Sequence, residues 1–406
     1  MNREDNPDCN DTVYTQRFSV DFEYPVYFTR NVFSRDNPLL CDAVSRLSEQ
    51  RTHRAIVCVD SGIADTHPDI IGDIKEYFHS RPDTLELAGE PIILPGGERV
   101  KQKWDTVRSL MWTMGSQHMC RQSYVIAAGG GSVLDMTGFA ASLVHRGLRL
   151  IRLPSTVLAQ NDAGVGVKNG MNEHGMKNFI GTFAPPFAVI NDFSFLKTLD
   201  FDHWTGGIAE AFKVAVIKDR KFFESLCSDA PLLKNRDSRA MEDLIRRCAV
   251  LHLDHIRTNG DPFEFGTARP LDFGHWAAHK LEAMTGYTLG HGQAVSIGIA
   301  VDSYYSMRKG LISEKNFHDI IQGLHNAGLP LWHDLLRTRN DEGLEILDGL
   351  RQFREHLGGV LTVTLPDSIG SKCEVHYMDQ GLIEEAVREL EKLNEELRAS
   401  HIDRKT

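Results

Sequence analysis

Glu210, His275 and His291 lie far apart in the chain, yet their side chains are suited to hold a divalent metal. Glu210 sits in GIAEAFKVAVIKD, among apolar residues of a predicted helix, where an unpartnered carboxylate is costly. His275 in DFGHWAAHKLE and His291 in LGHGQAV are bracketed by glycine or apolar residues and separated by a predicted helix. Two histidines and a carboxylate leave one position of a tetrahedral ion open, which is how a catalytic Zn2+ is held. A plainer reading is equally concrete. Lys213 lies one turn from Glu210 and can pair with it, and a histidine in such surroundings is commonly a satisfied core residue. No HExxH pattern decides between the two. His279, one turn after His275, shares its helical face and is a candidate proton carrier.

Gly129, Gly130 and Gly131 follow an apolar strand and open a predicted helix. Backbone amides there can approach a pyrophosphate closely, and the helix N-terminus favours the anion. GGGSxxD is not the GxGxxG fingerprint, and read alone the turn could be a turn only. A second glycine loop, Pro95-Gly96-Gly97-Glu98 with Lys101, strengthens the case, because two such loops after successive strands describe a ligand crevice. Between Arg146 and Lys213 come Arg149, Arg152, Asp162, Lys168, Asn172, Lys177 and Asn178, grouped in glycine-rich loops. They could bind an anionic small molecule or form a solvated loop.

The elements that must position these groups fall into two textures. Up to Leu199, short apolar strands such as RAIVCVD, PIIL, SYVIAAG and LRLIRLP alternate with glycine turns and helices, the pattern of a parallel sheet covered on both faces. FSVDFEYPVYFTRNVF alternates like edge strands. From Asp200 long helical periods dominate, so residues 1–199 are expected to form an α/β domain and residues 200–406 an α-helical one. The last 25 residues read as a charged amphipathic helix with a solvated face. With 406 residues, 41% hydrophobic, the chain can fill two cores. A net charge of -11 argues against nucleic-acid or membrane-surface binding, so an anionic substrate needs a local basic pocket. Seven scattered cysteines without a CxxC pair imply reduced thiols, and with no signal peptide or spanning run the expected location is the cytoplasm.

The segments GGGSVLDMTGFAASLVHRG, LPSTVLAQNDAGVGVKNGMN, GMKNFIGTFAPP, GIAEAFKVAVIKD and FGHWAAHKLE followed by GHGQAV resemble, in order and spacing, the motifs of 3-dehydroquinate synthase and the wider sugar phosphate cyclases. The resemblance runs from Val59 to Gly370. It implies a Rossmann-like NAD-binding α/β domain, a helical metal-binding domain, Zn2+ or Co2+, and a homodimer. It places the metal on Glu210, His275 and His291, and lines the NAD site with Asp60, Glu98, Lys101, Gly130, Gly131, Asp135, Ser155, Thr156, Leu158, Lys177 and Thr198. Asp162, Lys168, Asn178, Lys213 and His279 fall where the family holds substrate, and Arg146 where an arginine reaches the neighbouring subunit's phosphate site. The implied chemistry is a carbon–oxygen lyase reaction: transient oxidation by NAD, phosphate elimination, return of the hydride, ring opening and intramolecular aldol closure.

Departures from the family pattern bear on the substrate. Members acting on a carboxylated heptulosonate carry a lysine, an arginine and an asparagine before the metal histidine. Here His252 takes the lysine position and Asp272 the asparagine position, while Arg269 stands one place nearer His275. Where the family often has Asp-Lys-Lys before a GGxL turn, this chain reads Phe353 to Gly359, with His356 among them. An added carboxylate suits an anionic substrate carboxylate poorly, which favours sedoheptulose 7-phosphate and a C7 cyclitol product. The 2-epi-5-epi-valiolone and desmethyl-4-deoxygadusol synthases resemble GHTxSP at the metal histidine, with proline where this chain keeps His279. A 2-epi-valiolone synthase or a less characterised branch therefore fits better. Gly62 stands where the family often has an asparagine near NAD. The alternatives are 3-dehydroquinate synthase acting on 3-deoxy-arabino-heptulosonate 7-phosphate, a metal-dependent NAD alcohol or glycerol dehydrogenase, and a non-enzymatic binding protein.

Overall fold

The computed structural model of the chain describes residues 13–174, 176–258, 263, 271–356 and 359–403. Its first half is built on nine strands: β1 (Val26–Thr29), β2 (His53–Asp60), β3 (Leu85–Leu87), β4 (Ile92–Leu94), β5 (Tyr124–Gly129), β6 (Arg149–Pro154), β7 (Lys168–Glu173), β8 (Met176–Phe183) and β9 (Ala188–Asp192). Seven of them form one sheet in the order β1-β9-β6-β5-β2-β3, with β4 also pairing with β2, and every pairing is parallel. Helices α1 (Leu39–Ser45), α2 (Ser61–Thr66), α3 (Ile70–His79), α4 (Trp104–Ser116) and α5 (Gly131–Leu143) cover it.

Strand alternation explains the two layers. Val57, Val59, Tyr124 and Ile126 point to the face of α1 and α3, whereas Ile56, Cys58, Val125 and Ala127 point to the face of α4 and α5. Because both faces are covered, β5 is buried along its whole length and reads as a continuous apolar run. The expected edge strand is shorter than its alternating sequence implied: only Val26–Thr29 pair, and residues 13–23 are exposed without regular structure. Alternation alone does not make a strand where no sheet edge is within reach. The glycine-rich segment after Arg152 is also more ordered than the loops expected there, since β7 and β8 form an antiparallel hairpin.

The texture changes at α6 (Phe201–Lys218), whose N-cap Asp200 accepts from the His203 amide at 2.8 Å. The other helices are α7 (Arg220–Lys234), α8 (Ser238–Thr258), α9 (His275–Met284), α10 (His291–Arg308), α11 (Glu314–Asn326), α12 (Asp348–His356) and α13 (Gln380–Asp403). The helical half opens with two helices rather than one continuous run, because Asp219 leaves the helical region and caps α7. α6 and α10 are buried on nearly all sides and form the centre of the largest core. The charged tail helix is solvated on one side only: Ile383, Ala386, Val387 and Leu390 of α13 are buried in that core. Two small hairpins, Arg339–Asn340 with Gly343–Leu344 and Val363–Ser368 with Ser371–Val375, interrupt the helical half. The six described cysteines are unpaired, and no described helix is long and apolar enough to cross a membrane.

Candidate metal and nucleotide site

Three helices deliver the metal candidates, and glycines let them meet. α6 carries Glu210, α9 carries His275 and His279, and α10 begins with His291. A Cβ on Gly292 would fall inside the carbonyl oxygen of Gly206, so α6 and α10 touch through bare backbone beside His291. Gly274, at φ +79, abuts Gly298 and Ile299 in the same way beside His275.

These contacts bring Glu210 Oε1 to 3.3 Å from His291 Nε2 and 3.7 Å from His275 Nε2. His279 joins them: one ring nitrogen from each of His275, His279 and His291 lies within 4.8 Å of the others. Glu210 is fully buried, and neither carboxylate oxygen has a well-formed hydrogen bond, although Lys213 forms an ion pair with Oε2. The ion pair read from sequence is present on one oxygen, and the other oxygen is turned to the histidines. A buried carboxylate oxygen facing imidazole nitrogens is a donor set that fits a borderline cation such as Zn2+ or Co2+.

Charge and tautomer are set locally. Burial would raise the Glu210 carboxyl, but Lys213 and the two histidines hold it well below the usual range. Burial, assisted by Lys213 for His275 and by Lys177 for His279, lowers both imidazoles, so they stand neutral with a lone pair to offer. His275 Nδ1 lies 3.1 Å from the Phe273 carbonyl, which fixes it as the donor and leaves Nε2 toward Glu210. Asp302 of α10 anchors this turn, accepting from the Gly274 amide at 2.9 Å and from Trp276 Nε1 at 2.7 Å.

Sequence reasoning missed Glu282. It is 3% exposed, its Oε2 is 3.0 Å from His291 Nδ1, and its Oε1 accepts from Lys177 Nζ at 2.7 Å. The signal was present: Glu282 follows His275 by seven residues and His279 by three, on one helical face.

The nucleotide candidates gather at the carboxyl ends of the parallel strands. Asp60, ending β2, accepts from the Gly62 amide at 2.9 Å and the Gly130 amide at 3.3 Å, which ties the glycine loop to α2. Gly130 is the N-cap of α5 and Gly131 its first residue, so the first-turn amides of α5 open into this crevice. Ser155, Thr156 and Leu158 follow β6, Thr198 follows β9, and Thr198 Oγ1 lies 3.4 Å from Thr66 Oγ1. Lys101 bonds Asp135 at 2.7 Å and also Asn178; Glu98 accepts from Ser132 at 2.7 Å and from Asn172 at 2.8 Å. This network holds Asn178 at φ +53, a conformation asparagine tolerates. Lys177, beside it on β8, instead sends its ammonium to Glu282 and the histidines.

Asp162 approaches Lys213 at 3.9 Å and His252 Nδ1 at 2.9 Å; burial raises it, yet Lys213 and His252 together hold it down to about 2. Lys168 is exposed at the start of β7. The basic grouping read from sequence separates in space. Arg152 is fully buried and clamps the carbonyls of Gly164, Gly166 and Lys168, and Arg149 pairs with Glu49 at 2.5 Å. Both serve the fold. Arg146 is exposed at the far end of α5, roughly 20 Å along the helix from Gly131. Arg269 and the side chain of His356 lie outside the described residues.

Comparison with known proteins gives two family matches, 3-dehydroquinate synthase N-terminal over residues 91–205 and 3-dehydroquinate synthase C-terminal over residues 207–349. A 3-dehydroquinate synthase of Shewanella sp. (strain MR-4) is 30% identical over 379 residues, covering 92% of this chain and 99% of its own. Among solved structures, ValA, a 2-epi-5-epi-valiolone synthase from Streptomyces hygroscopicus subsp. jinggangensis 5008 with NAD+ and Zn2+ bound, superposes with a TM-score of 0.82 at 27% identity, covering 93% of this chain and 99% of that one. A 2-deoxy-scyllo-inosose synthase complexed with carbaglucose-6-phosphate, NAD+ and Co2+ shares the fold, with a TM-score of 0.71 at 22% identity over 90% of this chain and 96% of that one.

Proposed function

The chain belongs to the 3-dehydroquinate synthase family of sugar phosphate cyclases, and from that premise we propose that it closes sedoheptulose 7-phosphate into a C7 cyclitol with loss of phosphate. The observation that carries the choice of substrate is the hydrogen bond between His252 and Asp162. On the resemblance, His252 takes the place of a lysine that would meet a substrate carboxylate. Here its Nδ1 is engaged by Asp162, and Asp272 adds negative charge near Lys213 and His275. That wall repels a carboxylate and suits the neutral hydroxymethyl ketone end of sedoheptulose 7-phosphate.

The named residues then take these roles. Glu210, His275 and His291 would hold a Zn2+ or Co2+, and the crevice of Asp60, Glu98, Lys101, Gly130, Gly131, Asp135, Ser155, Thr156, Leu158, Lys177 and Thr198 would hold NAD. When bound, the ion supplies Lewis acidity at a substrate hydroxyl and NAD accepts and returns a hydride. Lys213 keeps Glu210 ionised and presents a cation beside the reacting carbons. His279, half-buried and held neutral by its surroundings, would take a proton and give it back. Lys168 and Asn178 bind and orient the phosphate, and Asp162 fixes the position of Lys213 from the opposite side. We further propose a homodimer in which Arg146, remote from its own chain's cluster, completes the phosphate site of a neighbouring subunit.

A second reading, 3-dehydroquinate synthase itself, is favoured by the similarity to the 3-dehydroquinate synthase of Shewanella sp. (strain MR-4). Inorganic phosphate release separates the two. Purified protein with NAD+ and Zn2+ or Co2+ should release phosphate from sedoheptulose 7-phosphate and little from 3-deoxy-arabino-heptulosonate 7-phosphate. The reverse pattern would assign the protein to the second reading. Stoichiometric NADH without phosphate would instead mean an alcohol dehydrogenase.

A further inference from the structure

We propose that Glu282 is a positioning residue for His291, and that Lys177, reaching across from the α/β half, is what holds Glu282 in that role. The inference rests on the metal reading of the site. Two groups compete for His291 Nδ1: the Glu282 carboxylate at 3.0 Å, an acceptor, and the Lys177 ammonium at 3.4 Å, a donor. The Glu282 contact is the shorter, and the Lys177 ammonium directs its own shorter hydrogen bond, 2.7 Å, to Glu282 Oε1. With an ion seated beside Glu210 Oε1, which stands 3.3 Å from Nε2, a hydrogen on Nδ1 directed at Glu282 would leave the Nε2 lone pair to the ion.

The two ligand histidines are oriented by different devices. His275 uses the Phe273 carbonyl, a neutral acceptor from its own turn. His291 uses a carboxylate that is 3% exposed, so water cannot take over its second oxygen. The oxygen turned away from His291 is met by Lys177 on β8, whose ammonium forms an ion pair with it at 2.7 Å. One ligand of the helical metal site thus owes its orientation to a residue of the β7–β8 hairpin, which packs on α5 beside the glycine loop. A carboxylate behind a ligating histidine fixes its tautomer and raises its basicity, and losing it typically costs metal affinity.

The test uses the full-length protein and two metals. Zn2+ affinity is read by chelator competition, and the visible spectrum of the Co2+-loaded protein reads the ligand field directly. Glu282→Gln should weaken Zn2+ binding about 10–100-fold and shift the Co2+ bands. Because that variant leaves Lys177 buried without its partner, the double variant Glu282→Gln with Lys177→Met, which is neutral on both sides, is measured beside it and should show the same loss. Lys177→Arg should restore wild-type affinity and spectrum, which loss of packing alone does not predict. Wild-type affinity and an unchanged Co2+ spectrum in the double variant would overturn the inference alone. A wild-type protein that takes up neither ion would overturn the metal reading and this inference with it.

Discussion

At the scale of single residues, the candidate site shows one ionisable group limiting what the next can do. His252 Nδ1 is taken up by Asp162, and Asp162 cannot leave without uncovering Lys213. Replacing His252 with lysine and Asp272 with asparagine should therefore raise kcat/KM for the carboxylated heptulosonate relative to sedoheptulose 7-phosphate by about tenfold or more, one well-made charge contact being worth that much; parallel phosphate-release assays read the ratio. Glu210→Ala should abolish metal uptake and turnover, as measured by metal analysis and phosphate release. Asp302 has a different effect. Burial pushes its carboxyl from 3.8 up to about 7, against the lowering hydrogen bonds from Trp276 and Gly274. A raised value means the folded state favours the protonated form. Its contribution to stability is full below 3.8 and is lost as pH rises through about 7, a change on the order of a few kcal/mol. Asp302→Asn stays neutral, so its melting temperature should gain on the wild type steadily between about pH 4 and 7 and run parallel above that. A constant difference across that window would mean that Asp302 is ionised throughout.

At the scale of elements, the site depends on how closely α6, α9 and α10 approach. Gly292→Ala would push α10 off the Gly206 carbonyl and carry His291 with it. The expected result is loss of Zn2+ affinity together with a drop of about 1–3 kcal/mol in unfolding free energy from overpacking, measured by chelator competition and denaturant titration. Much of this arrangement was legible in the sequence. Apolar runs ending in glycine marked β2, β5 and the nucleotide loops, and Glu210 stood out because a carboxylate does not belong in GIAEAF without a partner. The rest was hidden for physical reasons. Arg149 and Arg152 look alike on paper, and only three-dimensional pairing shows that one meets Glu49 and the other a set of carbonyls. The β7–β8 hairpin escaped notice because its residues carry site chemistry rather than strand propensity. Glu282 shares a helical face with His275 and His279, but nothing in LEAMTG shows that Lys177 of β8 reaches it.

At the scale of the whole molecule, the candidate nucleotide crevice and the candidate metal cluster belong to different halves and meet across the hairpin. Arg146 lies outside that meeting point, exposed beside the apolar and also exposed Leu143. If it completes a neighbour's site, Arg146→Ala and Glu210→Ala proteins should each be inactive, while mixed and exchanged subunits recover activity, because one hybrid site then has both residues. Phosphate release after subunit exchange gives the answer, and no recovery would mean that Arg146 acts within its own chain or not at all. The pairing of β1 with β9 carries a consequence of another kind. Val26 lies beside Val189, so the first strand made is joined to the last strand of its sheet. At about 5–20 residues per second a ribosome needs roughly 8–30 s to span that interval. Throughout it the segment around Val26 has no edge to join, and β6, once made, waits with one side open until β9 follows. The newborn chain is therefore most exposed to faulty association during synthesis of its first half, before any candidate metal ligand has left the ribosome.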